Sequence, residues 1–227
     1  VYKNVYAFIT PSEFLKKKLS LNGFEEKRIH CIPTFTASKT TIGKQQIGSY
    51  GLYFGRVTEE KGVETVIKAY EKLPEYTVKI MGDDTTDEAK RLKKYVENHK
   101  MKNVEFLGFK SGAELENVIK GARFTLIPSI WYDNLPNTAL ESFQYSKPVI
   151  ASNIGSLPEL VIDGENGYLF KPSNVEDLIK KIKMLDDDTL VKKMGQASRK
   201  RLESRFAPQT HYEDLMKIFN EAVKSRK

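Results

Sequence analysis

The stretch FTLIPSIWYDNLPNTALESFQYSKPVIASNIGSLPE, residues 124–159, decides how the chain is read. Phe124 to Ile127 is an apolar run of buried-strand length, and Pro128 stops it. After a loop, Leu135, Ala139, Leu140 and Phe143 recur at helical spacing and predict a helix from about Leu135 to Tyr145. Asp133 or Asn134 is placed to cap it, and Pro136 suits its first turn. Pro148 to Ala151 is a second apolar run. Strand, loop, helix, strand is the grammar of a parallel α/β sheet. Two acids punctuate it, Asp133 at the loop mouth and Glu141 eight positions later. If both were helical they would lie roughly 12 Å apart along the axis, with Glu141 leaning back toward the loop. Free N–H groups at the loop end favour an anion there. A nucleotide sugar, with hydroxyls on both sides of a diphosphate, suits that pattern. The plainer alternative makes Asp133 only a cap and Glu141 a solvated helix residue.

Working outward, the 227 residues carry a net charge of +7, 40% apolar and 30% charged residues, which is a globular composition with room for one large domain and part of another. No apolar run reaches the ~18 residues of a membrane span. The single Cys31 rules out an internal disulfide and a cysteine-based zinc site, and fits a reducing, cytoplasmic setting. The chain opens at Val1 rather than Met, as a piece of a longer protein would. Basic runs at Lys16–Lys18, Lys90–Lys94, Arg199–Arg201 and Lys224–Lys227 are scattered among acids, as on solvated helix faces. A nucleic-acid binder would gather them on one face with aromatics, so nucleic acid is not an expected partner. The first run suits peripheral contact with an anionic membrane, at its inner face.

Residues 5–10 read as a strand, Pro11-Ser12-Glu13 opens a helix ended by Asn22-Gly23, and Arg28 to Ile32 is a second strand. Residues 34–47 read as a linker. Beyond Gly48, a strand from Tyr50 to Phe54 ends at Gly55, and Val63, Val66, Ile67, Tyr70 and Leu73 keep a 3.6 period, with Thr58 placed to cap that helix. Gly55-Arg56 and Glu60-Lys61-Gly62 thus put two cations at the C-terminal end of a strand, where open α/β sheets bind ligands. Alternatively, Arg56 and Lys61 are ordinary surface charges. Tyr76 to Met81 is the next strand. It ends in Gly82, read as allowing close backbone approach to a ligand, and in Asp83-Asp84, which read as part of an acidic helix start rather than a metal site. Val104 to Leu107 is another strand, and Phe109 and Lys110 follow at its end. Phe109 is either a base contact or plain core. Ser111 opens the helix through Leu115, Val118 and Ile119, and Tyr212 to Val223 forms an amphipathic last helix. None of His30, His99 and His211 forms a spaced metal pair.

These motifs, Gly55-Arg56, Glu60-Lys61-Gly62, the acid–seven–Glu spacing of Asp133 and Glu141, Lys147-Pro-Val-Ile-Ala and Gly155-Ser-Leu-Pro-Glu159, resemble the C-terminal domain of the family 4 retaining glycosyltransferases (glycosyltransferase group 1) of GT-B architecture. The family usually has Glu where this chain has Asp133, and often Gly-Gly where it has Gly155-Ser156. The resemblance implies an α/β fold, a Rossmann-like parallel sheet with helices on both faces, preceded by the last strand–helix–strand of an N-terminal domain. Its parts would be residues 1–33, a linker at 34–47, a donor-binding domain at 48–205 and a crossover helix at 206–227. It implies retaining transfer of a sugar from a nucleoside-diphosphate sugar to a sugar, lipid or glycan acceptor, without a metal or other cofactor. Arg56 and Lys61 would neutralise the diphosphate, and Glu141 would hold the ribose hydroxyls. Asp133 with the amides of Asn134 and Leu135 would orient the sugar, while Gly55, Gly82, Phe109 and Lys110 complete the donor site. The resemblance also implies that this chain alone lacks the acceptor site. The rival reading is a non-catalytic nucleotide- or sugar-binding module acting with a separate chain. A hydrolase using Asp133 and Glu141 is disfavoured because their predicted spacing exceeds the ~5–9.5 Å such pairs need. A dehydrogenase is disfavoured because no G-x-G-x-x-G follows a strand.

Overall fold

The computed structural model describes residues 2–36 and 46–225. Near the N-terminus, β1 (Phe8–Thr10), α1 (Glu13–Leu21) and β2 (Ile29–Cys31) form a parallel two-stranded unit. Most of the expected linker, residues 37–45, lies outside the described residues. The chain then alternates: β3 (Tyr50–Phe54), α2 (Val63–Glu71), β4 (Thr77–Met81), α3 (Asp87–Asn98), β5 (Val104–Gly108), α4 (Gly112–Gly121), β6 (Ala122–Ile127), α5 (Asn137–Gln144), β7 (Val149–Ser152), α6 (Leu157–Leu160) and β8 (Gly167–Phe170). Helices α7 (Val175–Lys183), α8 (Asp188–Arg205) and α9 (Pro208–Lys224) close it.

The six strands are all parallel, in the order β5-β4-β3-β6-β7-β8. Strand period explains the two helix layers. Tyr53, Val78, Ile80, Phe124, Leu126, Ile150, Tyr168 and Phe170 face one side, where Val66, Ile67 and Tyr70 of α2, Leu92 of α3 and Leu178 and Ile182 of α7 cover them. Their neighbours in sequence point the other way. Leu52, Phe54 and Met81 meet Ile119 of α4, and Ile127, Val149 and Ala151 meet Leu140 and Phe143 of α5, Leu157 and Leu160 of α6, and Leu202 of α8. With both faces covered, the strands are near-continuous apolar runs, as buried parallel strands must be. Strands β3, β4 and β5 step outward one way, and β6, β7 and β8 step the other. The order therefore reverses between β3 and β6, and the loops leaving those strands diverge to open a crevice at their C-terminal ends.

Two helix starts differ from the sequence expectation. Thr58 precedes a short 3-10 turn, Glu59–Lys61, without a side-chain cap hydrogen bond, and α2 begins after Gly62. Gly62 is left-handed (φ 67°), and any side chain there would meet the Pro128 carbonyl, so the turn can press onto the end of β6 only with glycine. Helix α5 starts at Asn137 with Pro136 as its N-cap, and neither Asp133 nor Asn134 caps it. The cause is tertiary: Leu135 adopts φ 53° and is buried against α5, while the polar groups of 133 and 134 have other partners described below. The last helix leaves Tyr212, Phe219 and Val223 exposed, as its amphipathic pattern foreshadows.

One buried charge ties the base of the sheet together. Lys147 is 1% exposed, and its ammonium donates to the carbonyls of Gln46 (2.7 Å), Lys120 (2.6 Å) and Ala122 (2.7 Å). Three N–H groups meet three carbonyls, which the geometry of an ammonium allows and a neutral amine does not. Burial pushes its pKa down to about 8, so the cation persists at pH 7. Lys147→Met strands those carbonyls, and urea unfolding at pH 7 is expected to show a loss of about 3 kcal/mol. A loss below about 1 kcal/mol would mean that the carbonyls find other donors.

Candidate functional site

The crevice at the strand-order reversal contains two adjoining hollows of about 310 and 350 Å³. Both are lined by Phe54, Gly55 and Arg56, which leave β3, and by Thr138 in the first turn of α5. The first hollow continues past Met81, Gly82, Phe109, Lys110 and Glu141, and the second past Lys61, Asp133 and Asn137. Of the residues gathered by the sequence reading, Gly55, Arg56, Lys61, Gly82, Phe109, Lys110, Asp133 and Glu141 line these adjoining hollows, and Asn134 and Leu135 line neither. Arg56 and Lys61 come from the β3 turn, Gly82 from the end of β4, and Phe109 and Lys110 from beyond β5. Asp133 lies in the loop after β6, and Glu141 on α5.

The roles of individual residues are more differentiated than their spacing implied. Arg56 is the open cation: its side chain is 68% exposed and, among the described residues, its one ion pair is with Glu60 at 3.9 Å, a surface pair of little energetic weight. Its backbone is fixed instead, because Tyr53 Oη donates to the Arg56 carbonyl at 2.5 Å. Lys61 is the closed cation, with Nζ 2.5 Å from Asp133 Oδ1 and both side chains largely buried. Asp133, 7% exposed, also accepts from Ser129 Oγ and from Trp131 Nε1 (3.1 Å). The aspartate is therefore a hydrogen-bonded counter-charge rather than a helix cap. It lies outside the helical repeat, so the axial spacing expected between it and Glu141 does not describe this pair.

Asn134 is exposed, and its side-chain oxygen accepts from Ser12 Oγ at 2.6 Å, across to the N-terminal unit. The Leu135 amide is also engaged, donating to Ser156 Oγ at 2.6 Å. Glu141 is half-buried, and burial raises its pKa above the ordinary carboxylate value. Phe109 is 74% exposed, so the plain-core alternative for it is wrong. Lys110 lies 3.6 Å from Glu114. Gly82 serves the protein's own backbone: a Cβ there would sit 2.0 Å from the Gly55 carbonyl, so glycine lets the β4 end pass under the β3 turn. Asp83 accepts from the amide and hydroxyl of Thr85, which holds its pKa low, and Asp84 lies 2.5 Å from Lys93. Among the described residues no group of three His, Cys, Asp or Glu side chains is assembled for a metal.

Sequence reasoning overlooked Thr138, which walls both hollows, and Ser129, which shares Asp133. Thr138 carried a usable signal, being in the first turn of a helix whose N-terminus faces a strand end. Ser129 carried none, because its contact depends on the path of the loop.

Comparison with known proteins fits this geometry. The family described as glycosyl transferases group 1 matches residues 38–201. The chain belongs to that family. An uncharacterized glycosyltransferase of Methanocaldococcus jannaschii is 30% identical over 174 residues, covering 76% of this chain and 48% of that protein. Glycogen synthase of Mycobacterium tuberculosis is 31% identical over 186 residues, covering 78% and 42%. The chain spans about half the length of these curated relatives. Among solved structures, a glycosyltransferase from Rickettsia africae superposes with a TM-score of 0.89 at 21% identity, covering 98% of this chain and 66% of that one. Anabaena HepE in complex with UDP and glucose superposes at 0.83 and 20% identity, covering 95% and 63%. The sheet and its helix layers are those of a Rossmann-like GT-B domain.

The Lys61–Asp133 pair is open to a double-mutant cycle. Lys61→Met and Asp133→Asn are each expected to cost about 2 kcal/mol, and the double variant clearly less than their sum, because each single change strands the other partner. Additive losses in denaturant titrations would show that the two groups are not coupled.

Proposed function

We propose that this chain is the donor-binding part of a group 1 glycosyltransferase, and that it holds a nucleoside-diphosphate sugar across the two hollows. The observation that carries the reading is the placement of Arg56. Among the described residues it is the one with an open cation in the wall of both hollows, between a half-buried carboxylate on one side and the Lys61–Asp133 pair on the other. In this reading the nucleoside lies in the first hollow beside Phe109 and Lys110, with Glu141 accepting from the ribose hydroxyls. The diphosphate crosses the shared wall, where Arg56 and the first turn of α5 meet it. The sugar lies in the second hollow near Asp133, with Lys61 completing the positive side.

As the bond to the anomeric carbon breaks, negative charge gathers on the departing diphosphate. A fixed guanidinium and oriented amides stabilise that charge without reorganising. Two cations and a helix terminus supply what a divalent ion would otherwise supply, so the reading is metal-independent. Retention at the anomeric carbon, a hexosyl donor and a sugar, lipid or glycan acceptor complete the proposal. UDP in the Anabaena structure supports a nucleoside diphosphate as the donor class. We place the acceptor site in further sequence like that which the longer relatives contain, and expect this chain to bind donor without turning it over. The reading places the protein in the cytoplasm, with the Lys16–Lys18 run able to meet the inner membrane face; no helix among the described residues is long and apolar enough to cross a membrane.

Calorimetry with UDP-, GDP- and ADP-sugars tests the reading. One nucleoside series should bind, Arg56→Ala should weaken it at least tenfold through the diphosphate, and added EDTA should leave affinity unchanged. Binding that ignores Arg56→Ala, or that collapses with EDTA, would refute the assignment. The pH dependence follows from Glu141. Its raised pKa means that the carboxylate is lost earlier on acidification than an ordinary glutamate, and with it an acceptor for the ribose. Affinity should therefore fall as pH drops from 7 toward 5, and Glu141→Gln should bind more weakly at pH 7 and flatten that profile. A profile unchanged by the substitution would remove Glu141 from the site.

A further inference from the structure

Helix α1 belongs to the N-terminal unit, yet the groups that finish its first turn come from the far side of the crevice. Ser12, fully buried, caps the helix by accepting from the Leu15 amide at 3.1 Å, and its hydroxyl donates to Asn134 Oδ1 at 2.6 Å. The next two amides, Glu13 and Phe14, donate to the two oxygens of Glu159 at 2.8 and 2.6 Å. One carboxylate thus takes two of the N–H groups that a helix start leaves unsatisfied, and its charge meets the positive end of the helix. The Phe14 ring lies 5.0 Å from Tyr132, and Lys18 Nζ stands 4.8 Å over the Tyr132 ring.

Glu159 sits on α6, and α6 also holds the loop that carries Asp133. Ser156, just before α6, accepts from the Leu135 amide at 2.6 Å and donates from its hydroxyl to the Asp133 carbonyl at 2.9 Å. Its own amide reaches that carbonyl at 3.2 Å. The backbone of Glu159 is tied down in turn by Arg201 Nη2, at 2.5 Å from its carbonyl. One turn of helix, fixed from behind, therefore grips the 133–135 loop at one end and the start of α1 at the other.

We propose that α6 is a bracket that makes the docking of the N-terminal unit and the ordering of the 131–135 loop a single conformational event, with Glu159 as the positioning residue. It touches neither donor nor reacting atoms. It acts by holding α1 where Ser12 and Phe14 pin Asn134 and Tyr132, on either side of Asp133. When α1 lifts away, the loop loses its Ser12 hydrogen bond and its aromatic cover together. The link to catalysis rests on the donor reading above: the sugar half of the site is assembled only when the N-terminal unit is seated.

Two native reporters test this without any ligand. The only cysteine, Cys31, is half-buried in β2 of the N-terminal unit, and the only tryptophan, Trp131, is in the loop. Burial and the nearby Glu13 and Glu159 carboxylates raise the Cys31 pKa to about 12, so its thiol reacts slowly while α1 is seated. Glu159→Gln, in the full 227-residue chain, should speed Cys31 alkylation by iodoacetamide roughly tenfold. It should also shift Trp131 emission to longer wavelength and raise its quenching by iodide. Ser12→Ala changes no charge near the thiol and should move both reporters in the same direction by less, which separates opening from a simple field effect on Cys31. It also serves as the deciding variant if Glu159→Gln loses its far-ultraviolet circular dichroism. Faster alkylation with Trp131 unchanged would reduce Glu159 to a local support of α1 and overturn the bracket; no change in either reporter would overturn it too. Titration with UDP and with UDP-glucose adds the functional arm: Glu159→Gln should lose at least threefold in affinity for the sugar nucleotide while binding UDP nearly as the parent does. Equal losses for both ligands would break the link to the sugar half. A parent chain that binds neither ligand would exclude a uridine donor and leave the two reporters to decide the coupling.

Discussion

Strands β3 and β6 lie side by side in one parallel sheet but send their following loops in opposite directions, and most of what the site can do depends on that divergence. A parallel strand must be followed by a crossover, and the crossover from β3 covers one face of the sheet while the segment after β6 returns over the other. Between them no backbone fills the space beyond the strand ends. The cation-bearing turn at 55–62 and the 128–136 loop become its walls, and the first turn of α5 becomes its floor. Core packing stiffens these walls: Phe54, Leu126 and Ile127 are buried in the clusters beneath, so the turns start from rigid strand ends.

Charges in the crevice are arranged unequally, and the inequality is informative. Lys61 and Asp133 have given up much of their hydration, and the attraction between them must offset that cost. Arg56 has given up little and has almost no internal partner. A mobile, solvated guanidinium beside a fixed ion pair is suited to meeting an incoming anion, because its desolvation occurs only when the ligand supplies the counter-charge. Glu141 stands at the other end of that range, a half-buried carboxylate for which burial alone disfavours the charged form. A ligand that donates hydroxyl hydrogens to it would relieve that penalty. The same reasoning holds at Lys147, where three backbone carbonyls do for a buried ammonium what a ligand would do for Arg56.

The N-terminal unit is small, with two three-residue strands and one helix, and has little core of its own. Its position comes from polar contacts at the start of α1 and from the packing of residues 33–36 on α9, where His211 Nδ1 lies 2.8 Å from the Pro33 carbonyl and the His211 ring 4.8 Å from Phe35. Contacts of this kind are strong enough to define one arrangement and weak enough to be exchanged for another, which is what an element bordering a ligand cleft requires.

Much of this was readable in the residues. The 3.6 period from Val63 to Leu73, the apolar runs at Tyr50–Phe54 and Phe124–Ile127, and the turn at Asn22-Gly23 fixed element type and order, because burial on one or both faces leaves a period that needs no partner to be seen. The motifs around Arg56, Lys61, Asp133 and Glu141 also singled out charged residues that line the crevice, though not Thr138, which walls both hollows. Helix starts failed where tertiary contacts outbid local capping: Asp133 looked like a cap, but Lys61, Ser129 and Trp131 claim its carboxylate, and Leu135 turns left-handed to bury its side chain. Lys147 stood in the sequence only as the first residue of the Lys147-Pro-Val-Ile-Ala motif, since nothing local reveals three carbonyls converging on it from Gln46, Lys120 and Ala122. By itself the sequence determined the parallel α/β architecture and named most of the charged residues that line the crevice. Only the tertiary structure decided which cation is open and which is paired, and that Glu159 of α6 reaches the N-terminal unit, because those outcomes depend on distances between residues tens of positions apart that no local spacing encodes.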